Sequence, residues 1–225
     1  MKFLVGAGSF LAVYNNATNL LGLPDAAYVP VNLATAGLLV AAARRNGYGW
    51  DTLGLSRAGV APGLRWGGAG AGVVALGLGA ALAWPPAAPL LADERVAGLS
   101  LGGLLFRVGV RIPFGTVLFE ELAFRGVMLG AWARERSVPA AVAGTSVLFG
   151  LWHIGPTIVL LAENDVALTA AGRAAAVGGG VALTTAAGAL FALLRLRTGG
   201  IVAPALVHLA TNALGTLAAY WAQRV

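Results

Sequence analysis

The chain has 225 residues, 58% of them hydrophobic and 11% charged, with a formal net charge of +6 and a mean hydropathy of +0.80. A soluble domain carries roughly a quarter charged residues, so most side chains here have no water to face and the bilayer is the expected solvent. The absence of cysteine excludes disulfides, thiolate metal sites and a cysteine nucleophile. The basic residues lie between apolar segments and form no clustered nucleic-acid face.

A bilayer core needs about 20 apolar residues per helix. On that measure spans are predicted near 3–23, 27–43, 67–84, 113–133, 138–160, 175–194 and 199–221. The opening Met1-Lys2-Phe3 run superficially resembles a signal peptide, but Asn15, Asn16 and Asn19 interrupt it and no small-residue cleavage site follows, so it reads as a retained first span. Segment 97–112 is apolar but carries Arg107 and Arg111, and is either an interfacial helix or an extension of the fourth span. Small residues such as those in 174–180 let membrane helices approach closely.

The loops sort by charge. Lys2, Arg44, Arg45, Arg57, Arg65, Arg134, Arg136, Arg195 and Arg197 fall on one side, with only Asp51 and Glu135. Asp25, Asp93, Glu94, Glu163 and Asp165 fall on the other, with Arg95, Arg173 and Arg224. The expected fold is therefore all-α: one integral membrane domain over 1–225, a polytopic transmembrane helix bundle of about seven spans, N-in and C-out.

Five charged residues remain inside apolar segments: Arg107, Arg111, Glu120, Glu121 and Arg125. The two arginines nearer the surface can snorkel. Glu120 lies about 13 Å further along a helix that rises 1.5 Å per residue, where a charge costs at least ~2.5–3.5 kcal/mol and needs a partner or a function. Glu121 and Arg125 stand at i, i+4 in the favourable order for an ion pair. Glu120, turned about 100° away, has no partner on its own helix. A charge network that only joins helices is the bland alternative.

Both histidines of the chain fall within predicted spans. His153 follows Phe149 by one turn, so the phenyl ring can fix the imidazole, and His208 shares a helical face with Asn212 at i, i+4. A lone membrane histidine usually just hydrogen-bonds a neighbouring helix. Two of them beside a buried carboxylate point to a site.

Glu120-Glu121-x-x-x-Arg125, Phe149-x-x-x-His153 and His208-x-x-x-Asn212, in that order on separate apolar helices, resemble the three motifs of the CPBP (Abi) family. This is the family of CAAX-processing and bacteriocin-processing intramembrane glutamic endopeptidases. The resemblance covers about 100–215, and Trp50-Asp51-Thr52-Leu53-Gly54-Leu55 is also similar to bacterial members. It implies that Glu120 is the general base, acting with His153 on a water. It further implies that His208 and Asn212 are the oxyanion donors and that Glu121 and Arg125 order the motif helix. A carboxylate shielded from water gains basicity, and each oxyanion donor in a dry cavity contributes about 3–4 kcal/mol. Thr145, Ser146, Thr211 and Asn212 are candidate lining for a hydrophilic cavity, and the site is expected nearer the side that bears Arg111.

Glu120, His153 and His208 also make up a known catalytic zinc set, so a metal-dependent protease is the first alternative to a cofactor-free one. A non-enzymatic scaffold or immunity protein has no chemical need for both histidines. A proton-coupled transporter would show inverted repeats or interrupted helices, and the sequence suggests neither. The expected partners are membrane lipid and a membrane-associated peptide or protein substrate, C-terminally prenylated or bacteriocin-like, with no nucleic acid. The Ala, Gly and Arg richness looks bacterial, which implies the cytoplasmic membrane.

Overall fold

A computed structural model describes residues 1–164, 166 and 168–224. Asp165 and the side chain of Asp25, both counted above among the acidic loop charges, lie outside the described residues. The described chain forms eight helices: α1 (Lys2–Leu21), α2 (Asp25–Arg45), α3 (Val60–Ala83), α4 (Leu101–Glu135), α5 (Val138–Trp152), α6 (Ile154–Glu163), α7 (Ala170–Thr198) and α8 (Val202–Ala222). Single helical turns at Arg57–Gly59, Ala88–Leu91 and Glu94–Ala97 lie in the connections.

Among the described residues, six segments are long and apolar enough to cross a membrane: Ala26–Arg45, Arg57–Ala83, Leu101–Glu135, Val138–Glu163, Ala170–Thr198 and Val202–Ala222. The protein is a helical membrane bundle. The expected span 3–23 corresponds to α1, which is not among the six, because its three asparagines lower its hydropathy. Segment 97–112 resolves as an extension: α4 runs unbroken through Arg107 and Arg111 into the fourth span. The span expected at 138–160 is instead interrupted at His153, where the backbone leaves the helix (φ −94°, ψ 6°) and α6 begins. An interrupted helix was not expected from the sequence.

Helix α4 is the central pillar. Phe119, Ala123, Phe124, Val127, Met128 and Ala131 on α4 form a core with Leu4, Ala7 and Leu11 of α1, Ala36, Leu39 and Ala43 of α2, and Phe149 and Trp152 of α5. Apolar residues elsewhere face outward, with Val73 and Leu76 of α3 and Leu183 of α7 each at least 70% exposed, as lipid-facing positions require. Close packing of α3 on α8 rests on a stripe of small residues. A Cβ at Gly63, Gly67 or Gly70 would come within 2.7, 2.9 or 2.5 Å of Val202, Leu206 or Val207. Lipid tails are as apolar as the helices, so such backbone approach and its van der Waals contacts drive association.

Hydrogen bonds group the loops at the two ends of the bundle. At the basic end Arg134 donates to Gly47 O (2.7 Å), and the Tyr48 hydroxyl donates to Glu135 Oε1 (2.5 Å). Burial together with that carboxylate pushes the Tyr48 phenol up to about 12. Arg195, expected as a loop charge, is buried in the last turns of α7. Its guanidinium donates to the carbonyls of Asp51 and Thr52 (both 3.1 Å) and anchors the 50–55 segment. At the other end Arg107 donates to Arg95 O (3.0 Å) and Gln223 donates to Asp93 O (2.7 Å). Phe3 packs against Tyr48 (5.5 Å between ring centroids, tilted), so α1 starts at the basic end, whereas the Gln223–Asp93 bond places the end of α8 at the other.

Candidate active site

Glu120 sits on α4 between two widened stretches, Arg107–Val117 and Glu121–Met128, in which the backbone bonds i→i+5, and Glu121 opens the second. Pro113 lies in the first and has no N–H to donate. Widened turns of this kind recur at functional sites. A third one, Ala210–Leu214, follows His208 and contains Asn212.

The expected ion pair is present. Arg125 donates to Glu121 Oε1 at 3.2 Å, with Glu121 0% and Arg125 2% exposed. The guanidinium also lies over the rings of Phe149 (4.1 Å to the centroid) and Phe191 (4.9 Å). A fully buried guanidinium therefore has a carboxylate and the rings of Phe149, Phe191 and, at 5.8 Å, Phe124 around it, which offsets part of its desolvation.

Glu121 Oε1 accepts a second bond, from His208 Nδ1 at 2.9 Å. A carboxylate only accepts, so Nδ1 carries the proton. The other ring nitrogen, Nε2, faces Glu120 Oε2 at 3.8 Å. His208 donates from Nε2 as well only when its imidazole is doubly protonated. It is buried, with its ring stacked on Phe191 (5.1 Å) and edge-on to Phe149 (6.2 Å).

Glu120 is 5% exposed, and its other oxygen, Oε1, accepts from the indole Nε1 of Trp152 at 3.1 Å. Oε2 is buried and makes no hydrogen bond among the described residues. His153, half-buried at the helix break, donates from Nδ1 to Phe149 O (2.7 Å). This tautomer leaves its Nε2 as an acceptor. The Phe149 ring meets the His153 ring edge-on at 4.6 Å, as the one-turn spacing suggested. Among the described residues His153 makes no ion-pair or hydrogen-bond contact with Glu120. Phe149 thus contacts both imidazoles edge-on. Asn212 is half-buried one turn beyond His208.

The suggested lining residues Thr145, Ser146 and Thr211 each bond a carbonyl of their own helix. Thr145 and Ser146 are buried, with hydroxyls bonded to Ala141 O (2.7 Å) and Val142 O (2.6 Å) of their own helix, and Thr211 is exposed. A cavity of about 480 Å³ opens between Asn19 of α1, Arg107 and Arg111 of α4, and Pro156, Val159 and Glu163 of α6. It is on the Arg111 side and runs along the helix that begins just after His153.

The zinc alternative needs Glu120, His153 and His208 around one point. Among the described residues no three side chains of ligand type are grouped to hold a metal ion. The pairing of Trp152 with Glu120 was not foreseen from the sequence. An indole passes there for a lipid-facing or core residue, and its only sequence cue is adjacency to His153.

Buried charges on helices long enough to cross a bilayer define an integral membrane protein with a polar centre. Residues 101–214, just over half of the chain, match the family model described as type II CAAX prenyl endopeptidase Rce1-like. The protein belongs to this family of CAAX-type membrane proteases. No curated protein and no solved structure matches the chain.

Proposed function

We propose that the protein is an intramembrane endopeptidase in which Glu120 is the general base of a cofactor-free, glutamate-type hydrolysis. One observation carries this reading: Glu120 Oε2 is buried, makes no hydrogen bond within the described chain, and faces His208 Nε2 at 3.8 Å, while Oε1 is held by Trp152. A carboxylate with one oxygen fixed and one directed at an imidazole is disposed to accept a proton from water. His153, with Nε2 as its acceptor, shares that proton and passes it to the leaving amine. Protonated His208, fixed through Nδ1 on Glu121, donates from Nε2 to the developing oxyanion, and Asn212 supplies the second donor. Glu121 and Arg125 hold His208 at the correct angle.

The proposed entry for water is the polar cavity on the Arg111 side, along the helix that follows His153. The substrate is a peptide or protein delivered within the membrane, with a C-terminally prenylated chain as the first class to test. A bacteriocin-like peptide is the second. The basic end of the bundle faces the cytoplasm, and in a bacterial cell the membrane is the cytoplasmic one.

The test is cleavage of quenched fluorescent peptides, prenylated and unprenylated, by the purified protein in detergent, with and without chelator. Activity unchanged by chelator supports the glutamate mechanism. Activity abolished by chelator and restored by zinc would move the same residues into a metal site.

A further inference from the structure

Helix α1 lies outside the matched segment 101–214, yet its side chains reach the backbone where the α5–α6 span breaks. Asn15 Nδ2 donates to Trp152 O (3.0 Å) and Asn16 Nδ2 donates to Leu151 O (3.0 Å). Gly155 N donates to Asn16 Oδ1 (2.7 Å). These three bonds bracket His153. Where a helix breaks, the last carbonyls and the first N–H groups lose their intrahelical partners, and a membrane interior offers no general supply of water to replace them. Two adjacent asparagines, each with an amide that both donates and accepts, meet both needs.

The bracketed segment contains Trp152, 1% exposed. Its carbonyl is held by Asn15 and its indole donates to Glu120 Oε1. The indole ring is fixed by Tyr14 of α1, stacked at 6.1 Å, and by Phe119 and Phe124 of α4 at 5.4 and 5.2 Å. One residue therefore ties α1 to Glu120 through its side chain and to His153 through its peptide bond.

We propose that α1 is a positioning arm for the site: Asn15 and Asn16 set the break that orients His153, and Trp152, held by that clamp, occupies Oε1 of Glu120 so that only Oε2 is presented to water. These three are positioning residues, none of which touches the reacting atoms. The inference rests on the assignment of Glu120 and His153 to the chemistry, so its first test does not depend on turnover.

In ¹⁵N-labelled protein in detergent, the indole N–H resonance lost in Trp152→Phe identifies Trp152. That resonance is expected to move in Glu120→Gln, and to move also in Asn15→Ala, while the remaining tryptophans hold their positions. On the peptide substrate, Trp152→Phe and Asn15→Ala each lower kcat about tenfold, the scale of one lost hydrogen bond to a charged group, with KM within about twofold. Because both act through Glu120, the double variant loses no more than the worse single one. A Trp152 resonance unmoved by Glu120→Gln would overturn the proposal whether or not the protein cleaves any peptide. Losses that multiply in the double variant, or a lowered Tm with kcat intact, would overturn it too. If Asn15→Ala does not fold, Asn16→Asp, which keeps the acceptor for Gly155 N and loses the donor to Leu151 O, takes its place with the same readouts.

Discussion

His208 and Glu121 are joined across 87 positions of sequence by a 2.9 Å hydrogen bond from Nδ1 to Oε1, the same oxygen that Arg125 reaches at 3.2 Å. One buried carboxylate oxygen therefore serves two donors, an imidazole and a guanidinium. Glu121→Ala removes both bonds and leaves the Arg125 guanidinium buried without its counter-charge. The expected cost is about 3–5 kcal/mol of stability, the range for breaking a buried pair from one side, read as a large drop in thermal unfolding temperature in detergent. A variant as stable as wild type would show that Arg125 is held by its aromatic neighbours alone.

Arg125→Lys keeps the charge but not the planar group that lies over Phe149 and Phe191. Lysine presents a compact, strongly hydrated ammonium in place of a stackable fork. Peptide cleavage should fall by tenfold or more, and stability by about 1–2 kcal/mol. Kinetics and unfolding measured on the same preparation check both.

Gly54 has φ +65°, and a Cβ there would collide with the Arg195 guanidinium that braces the 50–55 segment. Gly54→Ala should therefore destabilise by about 1–3 kcal/mol, from backbone strain plus the displaced arginine. Arg195→Gln in the same background should relieve the collision but not the strain, so the double variant should recover part of the loss.

Asp93 is outside the spanning segments and couples three elements: it bonds Arg95 at 2.6–3.0 Å, it accepts from Asn164 Nδ2 (3.3 Å), and its carbonyl accepts from Gln223. Partial burial raises its carboxyl, but the Arg95 bonds and charge together with Asn164 outweigh that and hold it below the usual carboxylate range. A depressed folded-state pKa gives stability that is present above the unfolded pKa and is lost as pH falls through the folded one. The unfolding-temperature gap between wild type and Asp93→Asn should be steady near neutrality and shrink as pH drops below about 4.

How far the sequence carried this account depends on which groups stand out against an apolar background. Glu120, Glu121, Arg125, His153 and His208 were legible because ionisable side chains in a membrane span have few innocent roles, and the Glu121–Arg125 pair follows from helical spacing alone. The break at His153 was not read, although Gly155-Pro156 just beyond it disfavours a continuous helix. Asn15 and Asn16 registered only as a blemish in hydropathy, since their partners are backbone groups more than 130 residues away. Arg195 was sorted with the loops because charge counting does not reveal that it turns inward to two carbonyls. Trp152 carries no sign in its own residue type of the carboxylate it meets.

In the proposed mechanism Glu120 performs the base step and does not merely hold the bundle together. Glu120→Gln preserves shape and can still accept from Trp152 through its amide oxygen, so folding should be little changed. The decisive measurement is kcat/KM for a cleaved peptide in wild type and Glu120→Gln, alongside thermal unfolding of both. Loss of a general base should lower the rate by about 10²–10⁴ at nearly equal unfolding temperature. A Glu120→Gln protein that retains more than about a tenth of wild-type activity would contradict the assignment.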